Sequence, residues 1–263
     1  MGAMATTPDR DVRLSDGVTQ VDRVGRTVRR AQGPWSSCVH RLLDHLSARG
    51  FHGAPRFLGV DEQDREILDF VEGQTAPYPM PVGPQADRIM TSAAVLLRDY
   101  HDATENTELL TMTGWQLPAT LPAEVVCHND VAPYNCVVRD GIAVALIDFD
   151  TAAPGPRAWD LAYAVYRFAS LCEGADDPAS QGARVRLFLD AYGTDPSDED
   201  EVFQLIPERL AMLVQFMELQ ADAGNPIYAR HLAEGHADGY RRDIAYAAAN
   251  AAVWKQAARR RRH

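Results

Sequence analysis

The segment from 127 to 150 carries polar side chains of the kinds that bind metal ions and activate hydroxyl groups. It reads CHNDVAPYNC and then, after a short interval, IAVALIDFD. Asn135 and Asp148 offer oxygen atoms suited to Mg²⁺, an ion that takes few protein ligands and completes its shell with phosphates and water. Asp130 would then orient or deprotonate a substrate hydroxyl nearby.

These side chains can meet only if the chain between them folds back on itself. Residues 136–150 read as two strands joined by an Asp-Gly pair, which is typical of a tight hairpin turn. A hairpin returns the chain to the end at which it began. We therefore expect Asn135 and Asp148 to converge with Asp130 at one end of this hairpin.

The rest of the chain divides into a β-rich front part and a helical back part. Residues 17–30 predict two strands that turn near Gly25, a helix follows after Pro34, and 56–73 predict a second hairpin. Residues 74–85 contain four prolines and predict a linker. A helix is predicted at about 86–103, and from Ala158 the pattern is helical almost to the end.

Bulk composition excludes some classes of partner. The chain has 263 residues and a net charge of −11, which argues against general binding to nucleic acid or anionic membranes and favours cationic partners or good solubility. It has no apolar run of about 18 residues, and its start lacks the pattern of a secretion signal. We therefore expect a cytoplasmic protein without a membrane span; its oligomeric state is not predicted.

HNDVAPYN followed by LIDFD resembles the catalytic segment of the aminoglycoside phosphotransferase and choline kinase group. The related protein kinases carry H-R-D-x-x-x-x-N followed by D-F-G. The resemblance implies a two-lobed, protein-kinase-like α+β fold, with a small nucleotide-binding lobe at 1–73. The mostly helical lobe at 74–263 would hold the catalytic loop and the substrate site. The implied reaction transfers the γ-phosphoryl group of ATP or GTP to a substrate hydroxyl, with Mg²⁺.

The same resemblance implies a role for each residue of the motif. Asp130 would be the catalytic base that faces the acceptor hydroxyl, and His128 would brace its loop. Asn135 and Asp148 would hold Mg²⁺ on the nucleotide phosphates. Asp160, in the following stretch AAPGPRAWDLAYAVYRF, would fix the catalytic loop from behind by hydrogen bonds.

The front part departs from the kinase pattern. It has no G-x-G-x-x-G loop, and the only lysine, Lys255, lies near the far end of the chain. Arg30 stands where the phosphate-binding strand lysine is expected, and Arg29 is the second choice; alternatively, both are strand-edge charges. Asp150 replaces the glycine of D-F-G. It would contact a second metal ion or cap the next loop, and we favour the loop cap.

The usual partner of the strand lysine is also missing. That partner is a glutamate on the following helix, and residues 31–43 contain no carboxylate. Arg30 would therefore contact phosphate without a partner or pair elsewhere, with Asp69 and Asp148 as candidates.

The nucleotide base is expected at LDFVEG (68–73), which resembles the connector between kinase lobes. The backbone of Phe70, Val71 and Glu72 would hydrogen-bond a purine, while Phe70 and Ile147 would provide apolar walls. The same run also fits an ordinary strand end.

The acceptor would be a small hydroxyl compound, expected to be cationic, such as an aminoglycoside or another cationic antibiotic that phosphorylation inactivates. Glu218 and Asp222 are four residues apart and share one helix face. They would bind substrate amines or form a solvated stripe. Tyr134 would stack on the substrate or belong to the core.

Two other functions fit parts of the sequence. The missing lysine, glutamate and glycine-rich loop fit a degenerate kinase that binds nucleotide without catalysis. A metal-dependent phosphohydrolase would use His128, Asp130, Asp148 and Asp150 as ligands of two metal ions.

Overall fold

A computed structural model describes residues 12–15, by their backbone alone, and 21–259. The fold is α+β with two lobes, as predicted: a small antiparallel sheet with one helix precedes a larger, mostly helical part. Residues 17–20, the start of the first of the two strands predicted over 17–30, lie outside the described residues. No helix in the described ranges is long and apolar enough to cross a membrane.

The small lobe is an antiparallel five-stranded sheet, covered by one helix. Gly25 has a positive φ of 63° and makes the predicted turn between the second and third strands, since glycine adopts this conformation without steric cost. The first strand was not predicted. The sheet order is β1-β2-β3-β5-β4, with β1 at Val12–Ser15, β2 at Val21–Val24, β3 at Thr27–Ala31, α1 at Ser36–Ala48, β4 at Phe57–Val60 and β5 at Arg65–Asp69.

In the larger lobe, a two-residue strand and a long helix precede the short strands of the catalytic segment, and five consecutive helices follow them. The predicted linker contains a two-residue strand, and the helix predicted after it is slightly longer than expected. These elements are β6 at Gln74–Thr75, α2 at Pro84–Thr104, β7 at Val125–Cys127, β8 at Cys136–Arg139, β9 at Ile142–Leu146, β10 at Ala153–Gly155, α3 at Arg157–Phe168, α4 at Pro178–Tyr192, α5 at Glu199–Asp222, α6 at Pro226–Ala233 and α7 at His236–Arg259.

The predicted hairpin is formed by β8 and β9. Cys136 pairs with Leu146, so the start of β8 lies beside the end of β9. Asp140 and Gly141 have φ values of 53° and 74°, as the two central residues of a type I′ turn require. The hairpin therefore brings the segments after β7 and after β9 to the same place.

The core of the larger lobe holds these segments in position. Leu97 and Tyr100 on α2 are fully buried, as is Leu146 at the end of β9, and all three belong to one apolar cluster with Phe149. Tyr100 and Phe149 meet edge to face, with ring centroids 5.7 Å apart, a favoured arrangement for aromatic pairs. The residues after β9 therefore start from a rigid base.

Candidate active site

Asp130 lies in the loop between β7 and β8, and both of its carboxylate oxygens accept hydrogen bonds. The Tyr134 hydroxyl donates to Oδ1 over 3.1 Å, and the Asn135 amide donates to Oδ2 over 2.8 Å. The same amide nitrogen donates to the Asp130 carbonyl over 3.0 Å. Because the Asn135 amide nitrogen makes both of these hydrogen bonds, the amide oxygen is the atom of this group that is left to bind a ligand.

Asp160, near the start of α3, holds this loop from behind. Its two carboxylate oxygens accept from the backbone N–H groups of His128 and Asn129, each over 2.8 Å, and the His101 ring also donates to it. Burial alone would raise the pKa of Asp160, but the hydrogen bonds and the nearby imidazoles keep it below its usual value. An ionised, fully bonded carboxylate therefore fixes the two residues that precede Asp130.

His128 connects the catalytic loop to the end of β9. Its Nε2 lies 3.1 Å from the Ile147 carbonyl, and its ring centroid is 4.5 Å from that of Phe149. Its Nδ1 accepts from the backbone N–H of Asp130 over 3.3 Å. Both ring nitrogens are thus engaged within the protein, whereas the phosphohydrolase alternative requires a free nitrogen for metal binding.

The expected metal ligands reach one cavity from neighbouring segments. The Ile147 N–H donates to the Asn135 carbonyl over 2.9 Å, so Asp148 follows directly after a residue bonded to Asn135. Asp148 has a left-handed backbone with a φ of 66°, and its side chain is 52% exposed. The Asn135 amide oxygen and the exposed Asp148 carboxylate line one cavity. They fit a hard cation such as Mg²⁺, which takes its remaining ligands from phosphates and water.

The buried Arg30 side chain on β3 contacts a group of three carboxylates between the lobes. It donates to Glu66, to Asp148 over 3.1 Å and to Asp150 over 2.5 Å. Burial would lower the pKa of Arg30, but these three carboxylates raise it above its usual value. Of the two candidate partners named for Arg30, Asp148 is found.

Two residues near this group have different partners from those expected. Asp69 instead pairs with Arg56 over 2.6 Å. Asp150 accepts a hydrogen bond from Arg30, and within the described part of the chain its side chain does not cap the next turn. Burial raises the pKa of Asp150, while Arg30 acts against that rise. The loop cap is therefore not the role that the geometry gives Asp150.

The nucleotide cavity, as we name the space between the lobes, has a volume of about 760 Å³. This lies within the range of about 300–1,000 Å³ that is typical of ligand pockets. Of the residues expected around a nucleotide, the cavity is lined by Arg30, Phe70, Val71, Ile147, Asn135, Asp148, Asp150 and Asp130.

Two further residues expected at the nucleotide lie outside this cavity. Arg29 points to the opposite face of β3, where it donates to the Thr27 hydroxyl over 2.6 Å. Glu72 forms an exposed pair with Arg23 over 2.9 Å. The Arg29 side chain is therefore not brought to the nucleotide cavity, whereas the expectation for Glu72 concerned its backbone and stays a prediction.

A second space, which we name the acceptor cavity, opens on the other side of Asp130. It has a volume of about 180 Å³, and its walls come from the catalytic loop, α3, α5, α6 and α7. It shares Asp130, Tyr134, Thr151 and Tyr228 with the nucleotide cavity. The carboxylate of Asp130 therefore stands where the two cavities meet.

The two acids expected to bind an amine do not reach the acceptor cavity. Glu218 pairs with Arg241 on α7, and Asp222 is exposed at the end of α5. The cavity is instead lined by the opposite face of α5, which includes Arg209, Met212 and Phe216.

Sequence reasoning missed Glu66 and Arg209. Glu66 gave no signal because its role depends on which strands are neighbours in the sheet. Arg209 did give one: it stands three, four and seven residues before Met212, Leu213 and Phe216, in the apolar stripe of α5. A charged residue inside such a stripe indicates a buried role.

The sequence is similar to known proteins over this same region. A model of the phosphotransferase enzyme family matches residues 115–201, which contain the catalytic loop, the hairpin and α3. The trifolitoxin immunity protein of Rhizobium leguminosarum bv. trifolii is 37% identical over 192 residues, which make up 67% of this chain and 71% of that protein. The chain belongs to the phosphotransferase enzyme family.

Solved structures show the same fold as this phosphotransferase-family chain. A choline/ethanolamine kinase family protein from Mesorhizobium loti has a TM-score of 0.64 at 17% identity, over 95% of this chain and 92% of that one. An aminoglycoside phosphotransferase from Alicyclobacillus acidocaldarius has a TM-score of 0.55 at 18% identity, over 94% and 92%. APH(2″)-IIa, in a ternary complex with streptomycin and ATP, has a TM-score of 0.54 at 13% identity, over 77% and 83%.

The small lobe is the atypical part of this phosphotransferase-family member. In a kinase the glycine-rich loop covers the phosphates and a lysine lies on the third strand. Here β3 carries Arg30, and the connection between β1 and β2 lies outside the described residues. At this strand position Arg30 bonds to Glu66, Asp148 and Asp150.

Proposed function

We propose that this chain is a small-molecule kinase that transfers the γ-phosphoryl group of a nucleoside triphosphate to a hydroxyl group. The observation that carries the proposal is the position of Asp130, whose side chain lines both the nucleotide cavity and the acceptor cavity. A donor phosphate on one side and an acceptor hydroxyl on the other would meet beside this carboxylate.

The residues of the site support the charge balance that such a transfer needs. Asn135 and Asp148 would hold Mg²⁺, and that ion would neutralise charge on the transferred phosphoryl group. Arg30 brings one positive charge to Glu66, Asp148 and Asp150, so two negative charges remain when all three acids are ionised. A divalent cation on Asp148 would reduce this excess.

Asp130 would act on the acceptor. Its Oδ2 is held by Asn135 and its Oδ1 by Tyr134, which fixes the plane of the carboxylate. A hydroxyl in the acceptor cavity would donate to it and be aligned for attack, with its proton passing to the carboxylate. Since phosphoryl transfer depends mainly on positioning and charge neutralisation, this orienting role is the main contribution of Asp130.

The relative's name supports a role in protection against a toxic compound. That protein is described as an immunity protein for trifolitoxin, and phosphorylation of a toxin's hydroxyl is one way to inactivate it. Such a reaction would use cytoplasmic ATP or GTP. Glu218 and Asp222 were the residues expected to bind a cationic acceptor; because neither lines the acceptor cavity, they are not part of this proposal.

The division of the chain into lobes at 73 and 74 is also a proposal. The pairing of β6 at Gln74–Thr75 with β8 supports it, because this strand belongs to the sheet of the catalytic hairpin. The strands from β1 to β5 belong to the other sheet.

The test combines nucleotide binding with a transfer screen. Thermal-shift titration with Mg²⁺-ATP and Mg²⁺-GTP measures binding, and formation of nucleoside diphosphate is then followed over aminoglycosides, macrolides, amino alcohols and hydroxy acids. Asp130→Asn should lower transfer by about 10²–10⁴-fold while nucleotide affinity is retained. Loss of nucleotide binding together with transfer would contradict the role given to Asp130.

A non-catalytic nucleotide-binding function is the second candidate. It is favoured by one observation: each nitrogen of the Arg30 guanidinium group already bonds to a carboxylate, so only the second N–H groups of its two terminal nitrogens remain for a phosphate. Nucleotide binding without turnover over the whole acceptor panel would support this candidate.

A further inference from the structure

The wall of the acceptor cavity has an unusual charge for a site that would bind a polycation. Among the described residues that line it, Asp130 is the only carboxylate, and Arg209 is a guanidinium only 2% exposed. The remaining wall is made of tyrosines, apolar side chains, two histidines and polar groups of the catalytic segment. A second buried guanidinium, Arg167, lies behind the tyrosines.

The two arginines differ in how their charge is satisfied. All three nitrogens of Arg167 bond to tyrosine hydroxyls, those of Tyr163, Tyr78 and Tyr240. The Arg209 Nη2 donates to the Asn129 carbonyl, but its Nε and Nη1 have no hydrogen-bond partner within the part of the chain that the structure describes. Arg209 is thus the incompletely bonded cation of this cavity.

No carboxylate of the described residues lies within ion-pair distance of Arg209. Its guanidinium carbon stands 4.6 Å from the ring centroid of Tyr163 and 5.6 Å from that of Trp159. Such contacts contribute about 0.5–2 kcal/mol, whereas a buried charge without an anionic partner costs several kcal/mol. A carboxylate in the cavity would provide the missing partner.

The size and the remaining walls of the cavity limit the acceptor further. A volume of about 180 Å³ is below the range of about 300–1,000 Å³ for drug-sized ligands. Leu213, Phe216, Met217, Tyr228 and Tyr240 make most of the surface apolar or aromatic. This space suits a single ring or a short aliphatic group better than several amino sugars.

We propose that the acceptor is a small hydroxyl compound with an aromatic or apolar body and a carboxylate that pairs with Arg209, rather than a polycation. The inference rests on the proposed kinase function and assigns the substrate class of the same site. The hydroxyl group of this acceptor would lie at Asp130, where the acceptor cavity meets the nucleotide cavity. Arg209 is at once a binding residue and, through the Asn129 carbonyl, a support of the catalytic loop.

Three probes of nearly the same shape test the charge preference. They are 4-(hydroxymethyl)benzoate, 4-(hydroxymethyl)benzamide and 4-(hydroxymethyl)benzylamine, which are anionic, neutral and cationic. Their dissociation constants are measured by titration calorimetry in the presence of Mg²⁺-ATP, and diphosphate formation is followed with each. We expect the benzoate to bind at least about tenfold more tightly than the benzylamine, a difference of about 1.4 kcal/mol.

Variants at Arg209 separate binding from folding. Arg209→Met should reduce the benzoate preference to within about threefold, or about 0.65 kcal/mol, and Arg209→Lys should keep most of it. Arg184→Met is the matched control, because Arg184 is also buried, also donates to a backbone carbonyl and lines neither cavity. Its benzoate preference should equal that of the unchanged protein.

The outcomes for the two proposals are distinct. Failure to bind both Mg²⁺-ATP and Mg²⁺-GTP contradicts the kinase function itself. Three results would overturn the substrate class and leave the kinase function standing, provided that the nucleotide binds. They are a preference for the benzylamine, no binding of the benzoate, and an unchanged benzoate preference in Arg209→Met.

Discussion

Arg30 on β3 and Glu66 on β5 stand directly opposite each other in two antiparallel strands and form a buried ion pair. The helix α1 contributes His40, whose Nε2 lies 2.7 Å from the other Glu66 oxygen. Because Arg30 also reaches Asp148 and Asp150, this pair connects the sheet of the small lobe with the catalytic segment of the larger one.

Replacement of Glu66 by glutamine should destabilise the protein. The Glu66 side chain is 1% exposed, and its loss leaves Arg30 and His40 without their shared acceptor charge. We expect a loss of about 1–3 kcal/mol in the free energy of unfolding, measured by urea denaturation. The control, Glu72→Gln, removes the charge of an exposed pair with Arg23 and should lower the free energy of unfolding by less than about 1 kcal/mol. Equal losses would argue against a structural role for the buried pair.

Asp148 and Asp150 should respond differently to Mg²⁺. Arg30 pairs with both carboxylates, but the Asp148 side chain is 52% exposed and the Asp150 side chain only 22%. Asp148→Asn should weaken the Mg²⁺-dependent part of ATP binding by at least about tenfold, and Asp150→Asn should leave it within about threefold. The measurement is an ATP titration with and without Mg²⁺. An equal loss in both variants would support a metal role for Asp150 as well.

Removal of the Tyr134 hydroxyl should slow transfer without weakening nucleotide binding. The hydroxyl donates to Oδ1 of Asp130, and hydrogen bonds to charged groups contribute about 1.5–3 kcal/mol. We expect Tyr134→Phe to lower kcat by about tenfold or more. Tyr166→Phe is the control, because Tyr166 also lies near Arg167 but donates to Asp243. A similar fall in kcat for both variants would indicate a general effect on packing.

Stability should fall as the pH is lowered from 7 to 5.5, because of His101. Burial lowers the pKa of this imidazole, although its hydrogen bond to Asp160 opposes the change. The unfolded chain binds the proton near pH 6.5 and the folded protein only at lower pH, so protons favour unfolding in this window. The slope from this one group is at most about 1.4 kcal/mol per pH unit.

Thermal unfolding of variants at several pH values checks this assignment. His101→Gln should be less stable at pH 7 but should lose less stability on acidification. His52→Gln, at an exposed position, should keep the slope of the unchanged protein. An unchanged slope in His101→Gln would rule out His101 as the source.

The sequence predicted the catalytic loop and hairpin well because their geometry is local. His128, Asp130 and Asn135 lie within eight consecutive residues, and one hairpin returns the chain to Asp148. The Asp-Gly turn signal and the two apolar strands were sufficient to place Asp130, Asn135 and Asp148 on one cavity.

Contacts between distant segments were not predictable in the same way. Glu66 meets Arg30 only because β3 and β5 are neighbours, and single-strand patterns do not encode sheet order. Glu218 and Asp222 share a helix face by spacing, but spacing does not show which face of α5 is turned to the acceptor cavity. The stripe that contains Arg209 is the face that packs inward.

Much of the wall of the acceptor cavity comes from α5, α6 and α7, all of which follow the catalytic loop and its hairpin in the chain. Apart from Arg209, which supports the catalytic loop, substitutions on these three helices can therefore reshape what enters without altering the residues placed for phosphoryl transfer. Evolution could diversify the range of molecules recognised by this architecture while keeping one chemistry unchanged.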